Sequence, residues 1–343
     1  MTTSSASTSM PSENRRLVLA ERPTGMVDGT TTRMETLPVP EAGPGEAVVR
    51  VRYLSIDPTI RTWMDDAPGY LPPIGIGEVV RGGGIGEVVH STSDRYAPGS
   101  MVFGMLGWQD YAVANEEAPM QVIPSEVDPL LALGVLGVTG VTGYFGMTDV
   151  GRVGPGDTVV VSGAAGATGS IAGQVAKLRG AERVIGIAGS AEKCAWIVDE
   201  LGFDGAVNYR SDNVARALRT MCPEGIDLYY DNVGGEILDI CLAQLAIRGR
   251  IVMCGAISVY NAAERPPGPK NLFNLIVKRG RMEGFLLLDY LDRFPEAHAE
   301  LLTWLLEGRL HHAEHVVDGL ENAPDALNLL FTGGNRGKVI VKL

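Results

Sequence analysis

Cysteine is scarce in this sequence. The 343-residue chain has only four cysteines, Cys194, Cys222, Cys241 and Cys254, and no two of them form a C-x-x-C pair. This spacing argues against a zinc ribbon or a disulfide framework, and it is typical of proteins in the reducing cytosol. We therefore predict a cytoplasmic location.

The chain also lacks an excess of positive charge and long apolar runs. It has 29 Lys and Arg against 41 Asp and Glu, a formal net charge of −12. No basic cluster interrupts that balance, which disfavours binding to nucleic acid or to an anionic membrane surface. No apolar run approaches the roughly 18 residues of a membrane span. We therefore predict neither a nucleic acid nor a membrane as a partner.

The first 14 residues, "MTTSSASTSMPSEN", are small and polar. They lack the apolar core of a signal peptide. Low hydrophobicity of this kind is typical of disorder, so we predict that residues 1–14 are a disordered leader.

Metal-ligand patterns are absent where a catalytic zinc would need them. Residues 1–128 contain no cysteine and a single histidine, His90. A catalytic zinc site requires Cys, His or acidic ligands held together. The segment "HHAEH" (311–315) has histidines four residues apart but no cysteine nearby, which favours a solvated loop or helix face. We predict no bound metal.

Glycine, by contrast, is abundant, with 44 of 343 residues. From Leu17 to about Asn115, short alternating apolar runs are separated by Gly, Pro and Asp, which indicates a mainly β region. The hexapeptide "GIGEVV" occurs at 75–80 and again at 84–89. This repeat predicts two neighbouring strands of a barrel-like sheet.

The pattern changes after about residue 128. An apolar segment of helix length (128–147) comes first, and strand and helix patterns then alternate from Thr158 onward. Such alternation predicts a doubly wound parallel sheet. A further helix is predicted at 296–307, and the closing "GKVIVKL" (337–343) predicts a strand that returns to the N-terminal β region.

One strand-to-helix turn carries a phosphate-binding pattern. Gly163, Gly166 and Gly169 follow the β-branched strand 158–162 and precede a helical pattern, and the unit closes with "RVIGIAG". Glycines let the backbone approach a pyrophosphate, and the first amides of the helix are donors for it. The glycines alone would also fit a tight corner, but their setting favours a dinucleotide.

The end of the next strand indicates which dinucleotide is bound. NAD sites carry an acid about 20 residues past the glycine turn, where this chain has Gly189 and Ser190. Ser190 suits a helix N-cap, and Lys193 follows in the first turn. Lys193 alone could be a solvated helix lysine; with the acid missing, NADPH is favoured over NADH.

These residues resemble the medium-chain dehydrogenase/reductases. Zinc enzymes of that superfamily have a Gly-His-Glu motif. This chain keeps Gly77 and Glu78 but has Ile76 where the histidine would stand. The chain is more similar to the zinc-free subfamily of leukotriene B4 dehydrogenase, prostaglandin reductase and curcumin reductase, also called alkenal/one oxidoreductases. The matching segments are "YLSIDPTIR" (53–61), "GVTGVTGYFGM" (137–147), "VSGAAGATGS" (161–170), "AGSAEK" (188–193), "NYR" (208–210), "YDNVGG" (230–235), "CGAISVYN" (254–261), "EGF" (283–285) and "GKVIVKL" (337–343).

The resemblance implies two domains. A GroES-like β-barrel domain would comprise residues 15–128 and 306–343 and hold the substrate. A Rossmann domain with a doubly wound parallel sheet, residues 129–305, would bind NADPH. Family analogy also implies a homodimer.

The resemblance also implies the site residues. Lys193 and Tyr209 would contact the 2′-phosphate, Asn232 would lie near the nicotinamide ribose, and Tyr260 would sit by the nicotinamide and the substrate. The implied cofactor-binding residues are Gly163, Gly166, Ala167, Thr168, Gly169, Gly189, Ser190, Lys193, Tyr209, Asn232, Cys254, Gly255, Ile257, Ser258, Tyr260, Phe285, Leu286 and Asn335.

One departure from the family pattern concerns the substrate. The family usually reads Asp-Pro-Tyr where this chain has Asp57, Pro58 and Thr59, so a substrate-side phenol is missing. We predict Tyr53 as its substitute, although Tyr53 also fits an alternating barrel residue. Tyr260 and Tyr53 are therefore the predicted catalytic residues.

The expected activity is NADPH-dependent reduction of the C=C bond of α,β-unsaturated ketones or aldehydes. The alternatives are an NADPH quinone oxidoreductase on the same scaffold and a protein that binds NADPH without turnover. Consumption of NADPH that depends on substrate, followed by product analysis, would separate the three.

Overall fold

The structure is a computed structural model that describes residues 12–264 and 266–343. The predicted leader lies outside the described residues as far as residue 11. Its last two residues, Glu13 and Asn14, are ordered as the start of the first strand, so the prediction of disorder is wrong for them. Asn14 is buried there, and its side-chain amide exchanges two hydrogen bonds with the backbone of Tyr111, at 3.1 and 2.9 Å.

The secondary structure comprises fifteen strands and ten α-helices in the described part of the chain. The strands are β1 (Glu13–Leu19), β2 (Thr32–Pro38), β3 (Ala47–Ile56), β4 (Gly84–Ser91), β5 (Met101–Gly104), β6 (Tyr111–Ala114), β7 (Gln121–Val122), β8 (Thr158–Ser162), β9 (Arg183–Ala188), β10 (Gly205–Asn208), β11 (Ile226–Asp231), β12 (Leu245–Met253), β13 (Arg281–Gly284), β14 (Glu314–Asp318) and β15 (Lys338–Lys342). The helices are α1 (Thr59–Trp63), α2 (Pro129–Leu133), α3 (Val138–Phe145), α4 (Ala167–Leu178), α5 (Ala191–Asp199), α6 (Val214–Met221), α7 (Gly235–Ala243), α8 (Asn274–Lys278), α9 (Phe294–Leu306) and α10 (Ala323–Thr332).

A six-stranded parallel sheet has the order β10-β9-β8-β11-β12-β13. Numbered from β8, this is the order 3-2-1-4-5-6 of a Rossmann fold, which confirms the predicted doubly wound sheet. Apolar residues of α4 pack in one core against the sheet, and those of α6 and α7 pack in a second core. Because the order reverses between β8 and β11, a crevice is expected at the carboxyl ends of these two strands.

The second sheet is mixed and has seven strands. Its order is β14-β15-β3-β4-β5-β7, and β6 also pairs with β3. In the described residues this order does not close on itself, so the prediction of a β-barrel is wrong in that respect. The hairpin β1–β2 forms a separate sheet. It contacts the loops beside the seven-stranded sheet through single bridges from Arg16 to Gln109 and from Val18 to Val79, and through backbone hydrogen bonds such as that from the Leu17 amide to the Trp108 carbonyl.

The repeated hexapeptide forms two different structures. The second copy lies in β4, as predicted. The first copy is a turn with Gly77 at φ 87°, followed by the single bridge of Val79. A positive φ is incompatible with a regular strand, so the predicted pair of neighbouring strands is wrong.

The apolar segment 128–147 is not one helix. It is divided into α2 and α3 and continues as a turn of π-helix, Gly146–Val150. Gly134 to Gly137 interrupt it, and a side chain at Gly140 would collide with the Val135 carbonyl. Close backbone packing explains why the segment is rich in glycine.

The chain end returns to the mixed sheet, as predicted. Strand β15 pairs antiparallel with β3 and parallel with β14. Helix α9 packs in the core of the parallel sheet through Ala297, Leu301 and Trp304, whereas α10 packs in the core of the mixed sheet. The chain therefore crosses between the two domains after Leu306 and before Glu314.

Candidate functional site

A cavity of about 1460 Å³ opens where the two domains meet. One wall comes from the loops after β8, β9, β11 and β12, and the other comes from the loop after β3 and from the segment before β15. This is the place where the strand order of the parallel sheet reverses, the usual ligand site of such sheets.

The glycine turn after β8 forms one end of this cavity. Gly163 has φ 59°, and Gly166 caps α4 without a side-chain hydrogen bond. A side chain at Gly169 would collide with the Gly163 carbonyl. The first amides of α4 therefore have no partner within the helix and open onto the cavity with the positive end of the helix dipole. This geometry fits a pyrophosphate.

The turn after β9 carries the predicted 2′-phosphate residues. Lys193 and Tyr209 line the cavity beside Gly189, and a Cβ atom at Gly189 would lie 2.9 Å from the Tyr209 hydroxyl. Burial, and then the charge of Arg210, lowers the pKa of Lys193. Ser190 is not among the lining residues, because its side chain caps α5 by accepting a bond from the Lys193 amide at 3.2 Å.

The loops after β11 and β12 are joined along the cavity floor. Asn232 donates from its side chain to the Ser162 carbonyl at 2.7 Å, and its carbonyl accepts from the amide of Ile257 at 3.2 Å. The Ser258 hydroxyl donates to the Val233 carbonyl at 2.6 Å. Asn232 thus holds this floor in place as well as lining the cavity.

Asp231 supports the same floor from below. It is completely buried, and its Oδ1 accepts bonds from the Tyr229 and Ser162 hydroxyls and from two backbone amides, at 2.7 to 3.1 Å. Burial raises the pKa of Asp231 despite these hydrogen bonds, which lower it. Its Oδ2 has no hydrogen-bond partner among the described residues.

Tyr260 presents a phenol to the cavity. Its hydroxyl oxygen accepts the amide of Ala256 at 3.0 Å, so the hydroxyl proton faces no acceptor in the described protein. Burial is the main cause of a raised pKa for Tyr260. The phenol therefore stays protonated at neutral pH and can donate a hydrogen bond to a ligand.

Tyr53 lies outside the cavity, so the prediction that it replaces the missing phenol is wrong. It stands on the same face of β3 as Ser55 but two residues earlier, where it packs with Ile85 and Ile340. The structure places another phenol, Tyr70, on the cavity wall beside Thr59. The Tyr70 ring meets the Trp63 ring edge-on, with centroids 6.2 Å apart.

The mixed-sheet wall also contains a buried charged group that the sequence analysis missed. The Lys338 ammonium donates to the Asp57 carboxylate at 2.6 Å and to the Ile56 carbonyl at 3.0 Å. The other Asp57 oxygen accepts the Ser55 hydroxyl at 2.5 Å. Ser55, Asp57 and Lys338 all line the cavity.

The predicted site residues are otherwise brought together. Apart from Ser190 and Tyr53, every residue predicted for the site lines this one cavity. Asn335, from the segment before β15, is buried and donates to the Gly337 carbonyl at 2.9 Å. The neighbouring Gly337 amide donates to the Ala165 carbonyl at 2.9 Å, which joins this segment to the glycine turn.

Comparisons with known proteins agree with this architecture. Residues 15–122 match the N-terminal domain of oxidoreductases, and residues 167–304 match a family described as zinc-binding dehydrogenases. The chain is 42% identical over 335 residues to the NADPH-dependent curcumin reductase of Escherichia coli, covering 96% of this chain and 97% of the relative. It is 38% identical over 335 residues to the NADP-dependent 2-alkenal reductase of Nicotiana tabacum, again covering 96% and 97%.

A solved structure is similar over nearly the whole chain. The crystal structure of CurA from Vibrio vulnificus in complex with NADPH has a TM-score of 0.91 and 41% identity, and the match covers 96% of this chain and 98% of that one. The chain belongs to the zinc-free reductase subfamily of the medium-chain dehydrogenase/reductases. The resemblance seen in the sequence motifs is therefore confirmed.

The position that holds the histidine in the zinc enzymes is on the protein surface. Ile76, at the position of the zinc-enzyme histidine, is 58% exposed on the turn of the first hexapeptide. Among the described residues, no three His, Cys, Asp or Glu side chains are grouped as metal ligands.

None of the described helices has the length and apolar character needed to cross a membrane.

Proposed function

We propose that this protein reduces the C=C bond of α,β-unsaturated ketones and aldehydes with NADPH and without a metal. The observation that carries the proposal is the Tyr260 phenol. It is protonated, its oxygen accepts a hydrogen bond from the Ala256 amide, and its own proton has no acceptor among the described residues where it lines the cavity.

The residues present fit NADPH. The glycine turn and the open amides of α4 would hold the pyrophosphate, while Lys193 and Tyr209 would hold the 2′-phosphate. Asn232, Cys254 and Phe285 would lie along the nicotinamide end. When bound, NADPH supplies the hydride that reduces the substrate.

Tyr260 binds and polarises the substrate in this proposal. Hydride addition at the β-carbon moves charge through the conjugated system onto the carbonyl oxygen. A donor aimed at that oxygen stabilises the charge where it develops, and Tyr260 is the phenol with a free donor at this position. Because a neutral phenol polarises a carbonyl less strongly than a metal ion does, conjugate addition is favoured over attack on the carbonyl carbon.

The remaining walls exclude water and select the substrate. Tyr70 and Trp63 line the cavity, and so does an apolar run formed by Leu286, Leu287 and Leu288. The α-carbon takes its proton from Tyr260 or from water. Cys254 also lines the cavity, where burial raises the pKa of its thiol to about 11. It therefore stays protonated and a poor nucleophile toward an electrophilic enone.

The experiment is product identification with a simple enone and NADPH deuterated at the 4R or 4S position. Deuterium at the β-carbon of a saturated ketone supports the proposal. An allylic alcohol labelled at the former carbonyl carbon contradicts it. Turnover of quinones but not of enones would indicate a quinone reductase, and tight NADPH binding without turnover would indicate a binding protein.

We further propose that the enzyme is a cytoplasmic homodimer. Its four cysteines are unpaired, which suits a reducing compartment. Strand β13 is at an edge of the parallel sheet, and Phe273 and Ile276 nearby in the chain are 68% and 71% exposed. An edge strand with exposed apolar neighbours suits pairing with a second copy. Light scattering should give twice the chain mass; a monomer would contradict it.

A further inference from the structure

Two cations of the parallel-sheet domain hold the end of a helix from the other domain. Arg210 donates to the Thr332 carbonyl at 2.6 Å, and Lys193 donates to the Gly333 carbonyl at 3.0 Å. Thr332 is the last residue of α10, and Gly333 is its left-handed cap, with φ 70°. Helix α10 is anchored in the mixed-sheet domain, where the Asn328 side chain donates to the Val27 carbonyl at 2.7 Å.

Each cation lies at a favourable position beside the helix end, but the two positive charges repel each other. The C-terminal carbonyls of a helix attract positive charge. Both cation heads, however, lie near Gly333, since a Cβ atom there would be 3.3 Å from the Arg210 Nη2 and 3.9 Å from the Lys193 Nζ. The carbonyl partners are neutral, so an anion beside both cations would relieve the repulsion.

The cavity reaches Lys193, and Arg210 lies beside its lining without being part of it. Lys193, Tyr209, Gly189 and Gly333 all line it, and the Arg210 guanidinium lies 5.7 Å from the Tyr209 ring centroid. An ammonium has three donors and a guanidinium has five. Each cation can therefore hold its carbonyl and a phosphate oxygen at the same time.

We propose that Arg210 is a second cation for the cofactor 2′-phosphate, and that the phosphate fastens α10 to the parallel-sheet domain through Lys193 and Arg210. This inference rests on the proposed use of NADPH. Because α10 belongs to the mixed-sheet domain, occupation of the phosphate site tightens the contact between the domains at Lys193 and Arg210.

The test uses 2′,5′-ADP and 5′-AMP, which differ only in the 2′-phosphate and support no turnover. In calorimetry, Arg210→Gln should weaken 2′,5′-ADP binding by about 10- to 100-fold and leave 5′-AMP binding unchanged. Arg210→Lys should keep most of the preference. Arg219→Gln, at an exposed arginine of α6, is the matched control and should change neither affinity.

Hydrogen exchange supplies the second readout. In the wild type, 2′,5′-ADP should slow exchange of the amides of Gly334 and Gly337, which bond to Leu329 and Ala165, and 5′-AMP should not. Arg210→Gln should lose this protection. If the variant keeps both the preference and the protection, the inference is overturned. If the wild type itself does not prefer 2′,5′-ADP, the proposed NADPH function fails instead.

Discussion

The Lys338 ammonium and the Asp57 carboxylate form an ion pair at 2.6 Å that joins the last strand of the chain to the loop after β3. The Lys338 side chain is 3% exposed and that of Asp57 is 22% exposed. Since Gly337, next to Lys338, is bonded to the glycine turn, this pair links the substrate wall to the phosphate wall.

Lys338→Met is expected to destabilise the protein by about 3–5 kcal/mol, because it leaves the Asp57 carboxylate without its buried partner. The double variant Asp57→Asn with Lys338→Met should be less destabilised than Lys338→Met alone. Urea unfolding of the three proteins measures both effects. Equal stability of Lys338→Met and the wild type would show that the pair does not hold the wall.

Tyr260→Phe should lower turnover of an enone by about 10²–10³, the usual cost of one oxyanion donor. The NADPH affinity should change little, because the ring remains. Tyr53→Phe is the matched control, since Tyr53 packs outside the cavity, and it should leave turnover unchanged. A larger loss in Tyr53→Phe than in Tyr260→Phe would contradict the placement of both residues.

Titration of the Asp231 carboxyl should lower the free energy of unfolding as the pH rises from about 3.8 toward the raised pKa of this group in the folded state. The reason is that the folded state holds the proton in this window and the unfolded state releases it. Asp231→Asn should remove this contribution and be at least as stable as the wild type at neutral pH. Thermal unfolding at several pH values measures this.

Asp231→Ala should behave differently from Asp231→Asn. It leaves the Tyr229 hydroxyl and two amides without an acceptor, at about 1–3 kcal/mol for each orphaned group. If the alanine variant were as stable as the asparagine variant, the hydrogen bonds to Oδ1 would not support the floor.

Activity should survive metal removal. The described residues contain no group of side chains suited to a metal, and Tyr260 takes the polarising role in the proposed mechanism. Assay after exhaustive dialysis against a chelator, with elemental analysis of the same sample, is the measurement. Stoichiometric zinc with activity lost on its removal would overturn the proposal.

Much of the architecture could be predicted because it depends on local patterns. The alternation of strand and helix patterns after residue 128 predicts β8 to β12 and their helices. Gly163 and Gly169 predict the tight turn between β8 and α4. The resemblance to the reductase subfamily assigns residues of these loops to one site, and the structure places them around one cavity.

The rest depends on pairings that no local pattern contains. Alternation along β3 puts Tyr53 and Ser55 on one face, but it cannot tell which of them reaches the cavity. Lys338 meets Asp57 across 281 residues, and Tyr70 follows a turn-rich segment without periodicity. Their contribution to the wall becomes evident only when the two sheets are placed together.

The position of β15 within its sheet bears on how the chain is made. Its partner β3 is complete early in synthesis, yet Tyr53 to Ile56 lack their β15 neighbours until residues 339–342 emerge. For that interval the nascent chain carries an open strand edge, a feature that invites pairing with other chains. All strands of the parallel sheet, β8 to β13, precede β15 and can assemble first. A stop codon before Lys338 would therefore give a shortened chain that can still form its glycine turn and parallel sheet. Its mixed-sheet wall would lack both the strand that joins β14 to β3 and the buried cation.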